Sequence, residues 1–137
     1  MTAIEFTVLG KAEPQGSTKA FMVKGRPRIT SANPNMKPYR QEVGQTALAT
    51  RAALGFHSVW AGRHVPVSVR YEYYFAKPKS AKKSRSSPAV KPDIDKLIRS
   101  TTDALTGILY ADDGQIIEVT ALKYYGLPER TEIKVWR

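Results

Sequence analysis

The segment KPDIDKLIRSTTDALTG, residues 91–107, decides how the rest of the chain is interpreted. Pro92 favours the first turn of a helix, and Gly107 favours the end of one. In and just after the segment, apolar or small side chains recur at steps of three and four residues, which is the spacing of one buried stripe on a helix. They are Ile94, Leu97, Ile98, Thr101, Leu105 and Ile108. The segment therefore predicts an amphipathic helix that begins beside two carboxylates, Asp93 and Asp95.

A second acidic pair, Asp112 and Asp113, follows this helix in a chain that is otherwise basic. The chain has 22 Lys and Arg against 12 Asp and Glu, and its formal net charge is +10. Such a charge points to an anionic partner, most commonly nucleic acid. Carboxylates are the oxygen ligands that suit Mg²⁺ or Mn²⁺, and Asp112 or Asp113 could join Asp93 and Asp95 as a third ligand. The combination predicts a metal-dependent nuclease.

The alternative to a metal site is that the same four acids have only structural roles. Asp at the start of a helix is commonly a cap, and Asp-Gly is commonly a turn. The chain would then be a non-catalytic nucleic-acid-binding protein that binds junctions or duplexes. Lys96 and Arg99 either bind the scissile phosphate or form a solvated helix face, with Asp95–Arg99 as an i,i+4 pair. Asp103, on the same helix, is expected to form a structural salt bridge.

The composition excludes several other classes of protein. Without cysteine there are no disulfides, thiolate metal sites or cysteine catalysis. His57 and His64 are not spaced as a zinc-binding pair. No apolar run approaches the roughly 18 residues that a membrane span needs, and the first residues do not resemble a signal peptide. We therefore expect one intracellular, cytoplasmic domain over residues 1–137, with no membrane partner.

Hydrophobic periodicity predicts the remaining elements. Strands are expected over residues 3–9, 19–23, 65–75, 115–125 and 132–136, and a first helix over 39–54. The alternating Val, Tyr and Phe side chains of residues 65–75 are expected to face the core rather than to stack on bases. Residues 25–38, which contain three prolines, are interpreted as an irregular basic loop. The last two strands are expected to pair with each other across the loop at 126–130.

Residues 77–91 form the sharpest change in composition. They carry six cations and no acid: Lys77, Lys79, Lys82, Lys83, Arg85 and Lys91. Such a segment buries little apolar surface, so it is expected to be a mobile loop within the domain. It is interpreted as a phosphate-binding surface; a merely solvated run of charge is the alternative.

These motifs together resemble the RusA family of Holliday junction resolvases. The resemblance rests on residues 91–107, on Tyr110-Ala-Asp-Asp-Gly-Gln-Ile-Ile-Glu118 with Lys123, and on a Gly-x-x-x-Pro-Gln-Gly element at residues 10–16. It implies an α+β fold, a single small domain with a mixed sheet packed with two main helices. It also implies a homodimer, of phage or prophage type, that resolves four-way DNA junctions with Mg²⁺ or Mn²⁺ by paired symmetric nicks, in DNA recombination and repair.

The resemblance also implies roles for individual residues. Asp93, Asp95 and Asp113 would be the essential metal-binding carboxylates, with Asp112 in support. The family's catalytic lysine corresponds to Arg99, which keeps the charge but not the compact ammonium group. Lys96 stands where the best-known family pattern has Asn, and it is the candidate to compensate. With the loop cations, Lys96 and Arg99 complete the predicted DNA-binding set.

Overall fold

A four-stranded sheet with two helices packed on one face forms the body of the protein. The computed structural model describes residues 2–16, 18–31, 33–55, 60 and 62–137, with the side chains of 18–21 and 29–31 outside the description; His57 also lies outside the described residues. The strands are β1 Ala3–Leu9, β2 Thr18–Val23, β3 Arg26–Ser31, β4 Val67–Phe75, β5 Ile116–Tyr125 and β6 Arg130–Trp136. The helices are α1 Met36–Ala53 and α2 Ile94–Leu105, and a 3₁₀ turn spans Asp113–Gln115.

The main sheet has the order β1-β6-β4-β5, and β2 and β3 form a separate two-stranded sheet. The β4–β5 pair is parallel, whereas β6 is antiparallel to both β1 and β4. Two helices with a mixed sheet confirm the predicted α+β class. Within the described residues, no helix has both the length and the apolarity that crossing a bilayer requires.

The core lies between the sheet and the helices. As predicted, one face of β4 is buried, and its side chains are Val67, Val69, Tyr71, Tyr73 and Phe75. Hydroxyl groups join the layers: Tyr39 Oη of α1 lies 3.0 Å from Thr101 Oγ1 of α2 and 3.0 Å from Thr131 Oγ1 of β6. Because buried polar groups are costly unless paired, this network fixes both helices relative to the sheet.

The predicted pairing of the last two strands is wrong. β6 lies between β1 and β4, and β5 pairs with the other edge of β4. The buried face of β6 carries Thr131, Ile133 and Val135, so the strand is stabilised at the sheet centre, where both flanking strands also present apolar faces. The order β4, α2, β5 is a strand–helix–strand unit, which favours parallel pairing of its two strands.

The prediction of an irregular loop over residues 25–38 is also wrong in part. Residues 26–31 form β3, which pairs with β2, and α1 begins at Met36, three residues before the predicted start. Pro38 is tolerated because it lies in the first turn of α1, where backbone N–H groups have no partner within the helix. Pro27 is tolerated because β3 belongs to a two-stranded sheet and can direct its missing donor away from β2.

Candidate active site

The start of α2 positions the first acidic pair. Asp93 is the N-cap residue and has an extended backbone (φ −68°, ψ 135°), while Asp95 lies in the first helical turn. The Asp93 carboxylate makes no capping hydrogen bond. It forms an ion pair with Lys96 instead, with Oδ2 and Nζ 3.6 Å apart and both side chains 44% exposed. The capping interpretation therefore does not account for Asp93, although its charge at a helix N-terminus is electrostatically favourable.

The polar side of α2 carries Arg99. Its side chain is exposed, and the predicted Asp95–Arg99 pair is absent from the ion pairs of the described residues. The salt bridge predicted for Asp103 is likewise absent from the described part of the chain. Arg99 is thus available to an anion on the same helix as Asp93 and Asp95.

The second acidic pair lies beyond the other end of α2, and its two members differ. Asp112 caps the 3₁₀ turn, because its Oδ1 accepts a hydrogen bond of 3.0 Å from Gly114 N–H while the Gln115 side chain accepts one of 2.9 Å from Asp112 N–H. This reciprocal arrangement is a capping box. Asp112 therefore has the structural role that the alternative interpretation gave to all four acids. Asp113 is the first residue of the turn and is exposed.

The two adjacent carboxyl groups affect each other's ionisation. The hydrogen bond from Gly114 N–H lowers the pKa of Asp112 below its usual value. Hydrogen bonding to Asp112 raises the pKa of Asp113, and desolvation and repulsion from Asp112 and Asp103 add to the increase. A cation near Asp113 would relieve this repulsion.

Within this chain the two acidic pairs lie far apart. Helix α2, which has Asp95 as its second residue, has 12 residues and rises about 18 Å in total. Strand β5 returns over this distance: it starts next to Asp113, and Lys123 near its end donates hydrogen bonds to the carbonyls of Val90 (2.6 Å) and Pro92 (2.8 Å). The seven steps from Ile116 to Lys123 span about 23 Å. Accordingly, no group of three or more acidic or histidine side chains suited to a metal ion occurs among the described residues.

A cleft beside Asp93 contains residues that the sequence did not identify. It has a volume of about 360 Å³ and is lined by the 11–16 segment, Asn33 and the start of α2, including Lys11, Lys91 and Lys96. Gln15 N–H donates to Lys96 O (2.9 Å), and Ser100 Oγ donates to Glu13 O (2.6 Å), so the segment is bound to α2. The sequence marked this segment by its turn signals and by the Gly-x-x-x-Pro-Gln-Gly element of the family resemblance, but neither feature placed it at the site. Its contact with a helix more than 80 residues away leaves no local pattern.

The basic segment 77–91 forms no helix or strand, as predicted. Turns are closed by Ala81 N–H to Pro78 O and by Arg85 N–H to Lys82 O, both 3.0 Å. The cations Lys77 and Arg85 each lie 5.9 Å from the centre of the Tyr125 ring. The other four basic side chains are all exposed, namely Lys79, Lys82, Lys83 and Lys91. The segment thus presents its charge next to the start of α2, while its mobility stays a prediction.

Comparison with known proteins gives two matches. The sequence model of a family described as "Endodeoxyribonuclease RusA" matches residues 11–136. The protein YqaN of Bacillus subtilis (strain 168), described as uncharacterized, is 27% identical over 145 aligned residues, which cover 98% of this chain and 96% of that protein.

Proposed function

This chain belongs to the RusA endodeoxyribonuclease family, and from this premise we propose that it resolves four-way DNA junctions. It would do so by metal-dependent, paired symmetric nicks, in DNA recombination and repair. The observation that carries this proposal is the state of Asp93. The residue stands at the start of a helix, where a cap is expected, yet its carboxylate makes no cap and faces solvent beside two cationic side chains, Lys96 and Lys91.

The donor chemistry of the acidic residues fits Mg²⁺, with Mn²⁺ as a substitute. Asp93, Asp95 and Asp113 offer carboxylate oxygens, which these ions prefer, and Asp112 supports Asp113 through the capping box. When bound, the ion supplies an activated water and neutralises charge on the phosphate. The residues are exposed or half-exposed, so a cation and a DNA strand can both reach them.

Lys96 and Arg99 provide positive charge for the phosphate. An exposed ion pair such as Lys96–Asp93 contributes only about 0–1 kcal/mol, so Lys96 can leave Asp93 for a phosphate at small cost. Arg99 can donate two hydrogen bonds to a phosphate, and a guanidinium group, unlike an ammonium group, does not serve as a proton donor in proteins. Its role is therefore to stabilise developing negative charge rather than to protonate the leaving oxygen. The cations of segment 77–91 extend the same surface and would bind the flanking backbone.

A homodimer would bring together the two acidic pairs that one protomer holds about 20 Å apart. Strand β5 runs between them at the edge of the sheet, where it exposes Ile117 (73%) and Val119 (45%). Exposed apolar side chains on an edge strand favour pairing with another strand. Antiparallel pairing of two β5 strands about a two-fold axis would place Asp113 of each protomer near the start of α2 of the other. Each site would then contain residues from both protomers.

The proposal is tested with a synthetic immobile four-way junction and a matched linear duplex, each incubated with the purified protein in Mg²⁺, Mn²⁺ or EDTA. Paired nicks in the junction that require metal are the expected result. Tight junction binding with no nicks in either metal would instead support the non-catalytic binding protein.

A further inference from the structure

The separate β2–β3 hairpin, residues 18–31, has no role in the site described above, yet it carries an unusual concentration of exposed charge. The chain has no acid over these residues, whereas Lys19, Lys24, Arg26 and Arg28 are all basic. Every side chain from Met22 to Arg28 is exposed, and Met22 is 66% exposed. A lone two-stranded hairpin is marginally stable in water. The hairpin is therefore expected to gain a partner, and the charge requires that partner to be anionic.

The turn of this hairpin holds a lysine in a backbone conformation that side chains other than Gly, Asn and Asp rarely adopt. Val23 and Arg26 are paired, and the two residues between them, Lys24 and Gly25, have φ values of 51° and 75°. Two-residue hairpin turns of this kind favour Asn, Asp or Gly, which adopt positive φ with little strain. A lysine at the first turn position puts a cation at the tip in spite of this preference. Backbone strain of this sort is commonly retained for function.

The cations of the hairpin tip are concentrated on one of its two faces. Side chains that lie opposite each other on paired strands point to the same face, and neighbours along a strand alternate. Met22 is opposite Pro27, so these two share one face, whereas Arg26 and Arg28 share the other. One face of the tip thus carries Met22 and Pro27, whereas the other carries Arg26 and Arg28 together with Val23, which is opposite Arg26 and 40% exposed.

We propose that residues 18–31 form a DNA-binding arm that inserts at the branch point of the junction. This inference rests on the proposed function, since branched DNA is the polyanion concerned. Arg26, Arg28 and Lys24 bind backbone phosphates. Met22 packs against bases that are unstacked at the branch, as apolar side chains do in proteins that wedge between base steps. A two-stranded ribbon is narrow enough for the roughly 12 Å major groove, so the adjoining duplex arm accommodates it.

The test compares four proteins: the wild type, Arg26→Gln with Arg28→Gln, Met22→Ala, and a control in which Lys37→Gln and Lys134→Gln remove the same charge from α1 and β6. Binding to a four-way junction with 2-aminopurine at the branch is measured in EDTA over a range of salt concentrations. Circular dichroism melts confirm that each variant is folded.

In a plot of the logarithm of the association constant against the logarithm of the salt concentration, the double arginine variant is expected to show a slope about 2 less steep than the wild type. This difference is the contribution of two phosphate contacts. The control variant should keep the wild-type slope. Met22→Ala is expected to keep the wild-type slope but to lose at least half of the 2-aminopurine fluorescence increase. The proposal that residues 18–31 are a DNA-binding arm would be overturned by any of three results. These are an unchanged salt slope for the arginine variant, an unchanged fluorescence increase for Met22→Ala, and no junction binding by the wild type.

A parallel cleavage assay in Mg²⁺ separates this inference from the resolvase proposal. Nicking by the wild type together with wild-type salt slopes in the arginine variant would refute the arm alone. Altered binding by the arm variants without any nicking by the wild type would refute the resolvase proposal alone.

Discussion

At the scale of single residues, Asp93 is the most direct test of the site. Asp93→Asn keeps the shape of the side chain but removes a charged ligand, so cleavage of a four-way junction is expected to fall by at least 100-fold, on the order of what loss of a key charge-stabilising group costs. Junction binding in EDTA is expected to stay equal or to become tighter, because a negative charge near the phosphates is gone. The control is Glu42→Gln on α1, an exposed acid away from both acidic pairs, which should cleave as the wild type does. Normal cleavage by Asp93→Asn would refute the assignment of Asp93 to the active site.

The two residues of the second acidic pair are expected to respond differently. Asp112→Ala removes the cap of the 3₁₀ turn and should lower Tm by roughly 2–5 °C, as the loss of an N-cap does in a domain of this size. Asp113→Asn leaves the cap in place, so its Tm should stay within a degree of the wild type while junction cleavage is lost. Thermal melts and a cleavage assay on both variants measure this contrast. A large loss of Tm in Asp113→Asn would indicate a structural role instead.

The residues alone identified these acids as a set, and only the family resemblance set Asp112 apart, as a supporting residue. Asp112 and Gln115 stand at the spacing of a capping box, so the structural role of Asp112 was readable from the sequence. That the Asp93 carboxylate pairs with Lys96 and makes no cap was not readable from the sequence, because it depends on which donors the fold places beside it. The same holds for Lys11 and Gln15, which reach the site only through the packing of a distant loop against α2.

At the scale of elements, Lys123 of β5 fixes where the basic segment meets α2. Its ammonium group donates to the carbonyls of Val90 and Pro92, directly before Asp93. Lys123→Met keeps the length of the side chain but removes both hydrogen bonds, so the 77–91 segment should detach from β5 and be cut faster by trypsin. Limited proteolysis followed by mass spectrometry measures the rate, with Lys134→Met on β6 as the control. An unchanged cleavage rate in the segment would mean that other contacts hold it.

The elements themselves were predicted well, and their pairing was not. The period-2 pattern of β4 and the apolar stripe of α2 are local properties, and both were confirmed. The pairing of β5 with β4 depends on α2 crossing between them, and β6 takes its central place because both of its neighbours offer a buried face. Adjacency along the chain wrongly favoured a β5–β6 hairpin. The order strand, helix, strand was a signal for the parallel pair that the sequence analysis did not use.

At the scale of the whole molecule, the distance between the two acidic pairs bears on whether one chain or two chains supply the aspartates of each site. One protomer holds Asp93 and Asp113 at opposite ends of α2, so a shared site needs Asp93 from one protomer and Asp113 from its partner. A dimer of one Asp93→Asn chain and one Asp113→Asn chain then retains one site with both aspartates intact and one site with both replaced. If each protomer held its own complete site, every site in the mixed dimer would lack one aspartate.

Co-expression of the two variants with different tags, followed by purification through both tags, isolates the mixed dimer. We expect it to nick a four-way junction in Mg²⁺ at about half the wild-type rate per dimer, since one of two equivalent sites survives. Because only one site is active, the nicks should remain unpaired, and the junction should be nicked without being resolved into two duplexes. Each homodimeric variant should be inactive under the same conditions. An inactive mixed dimer would place the complete site within a single protomer, whereas unpaired nicking can arise only from a site that two protomers build together.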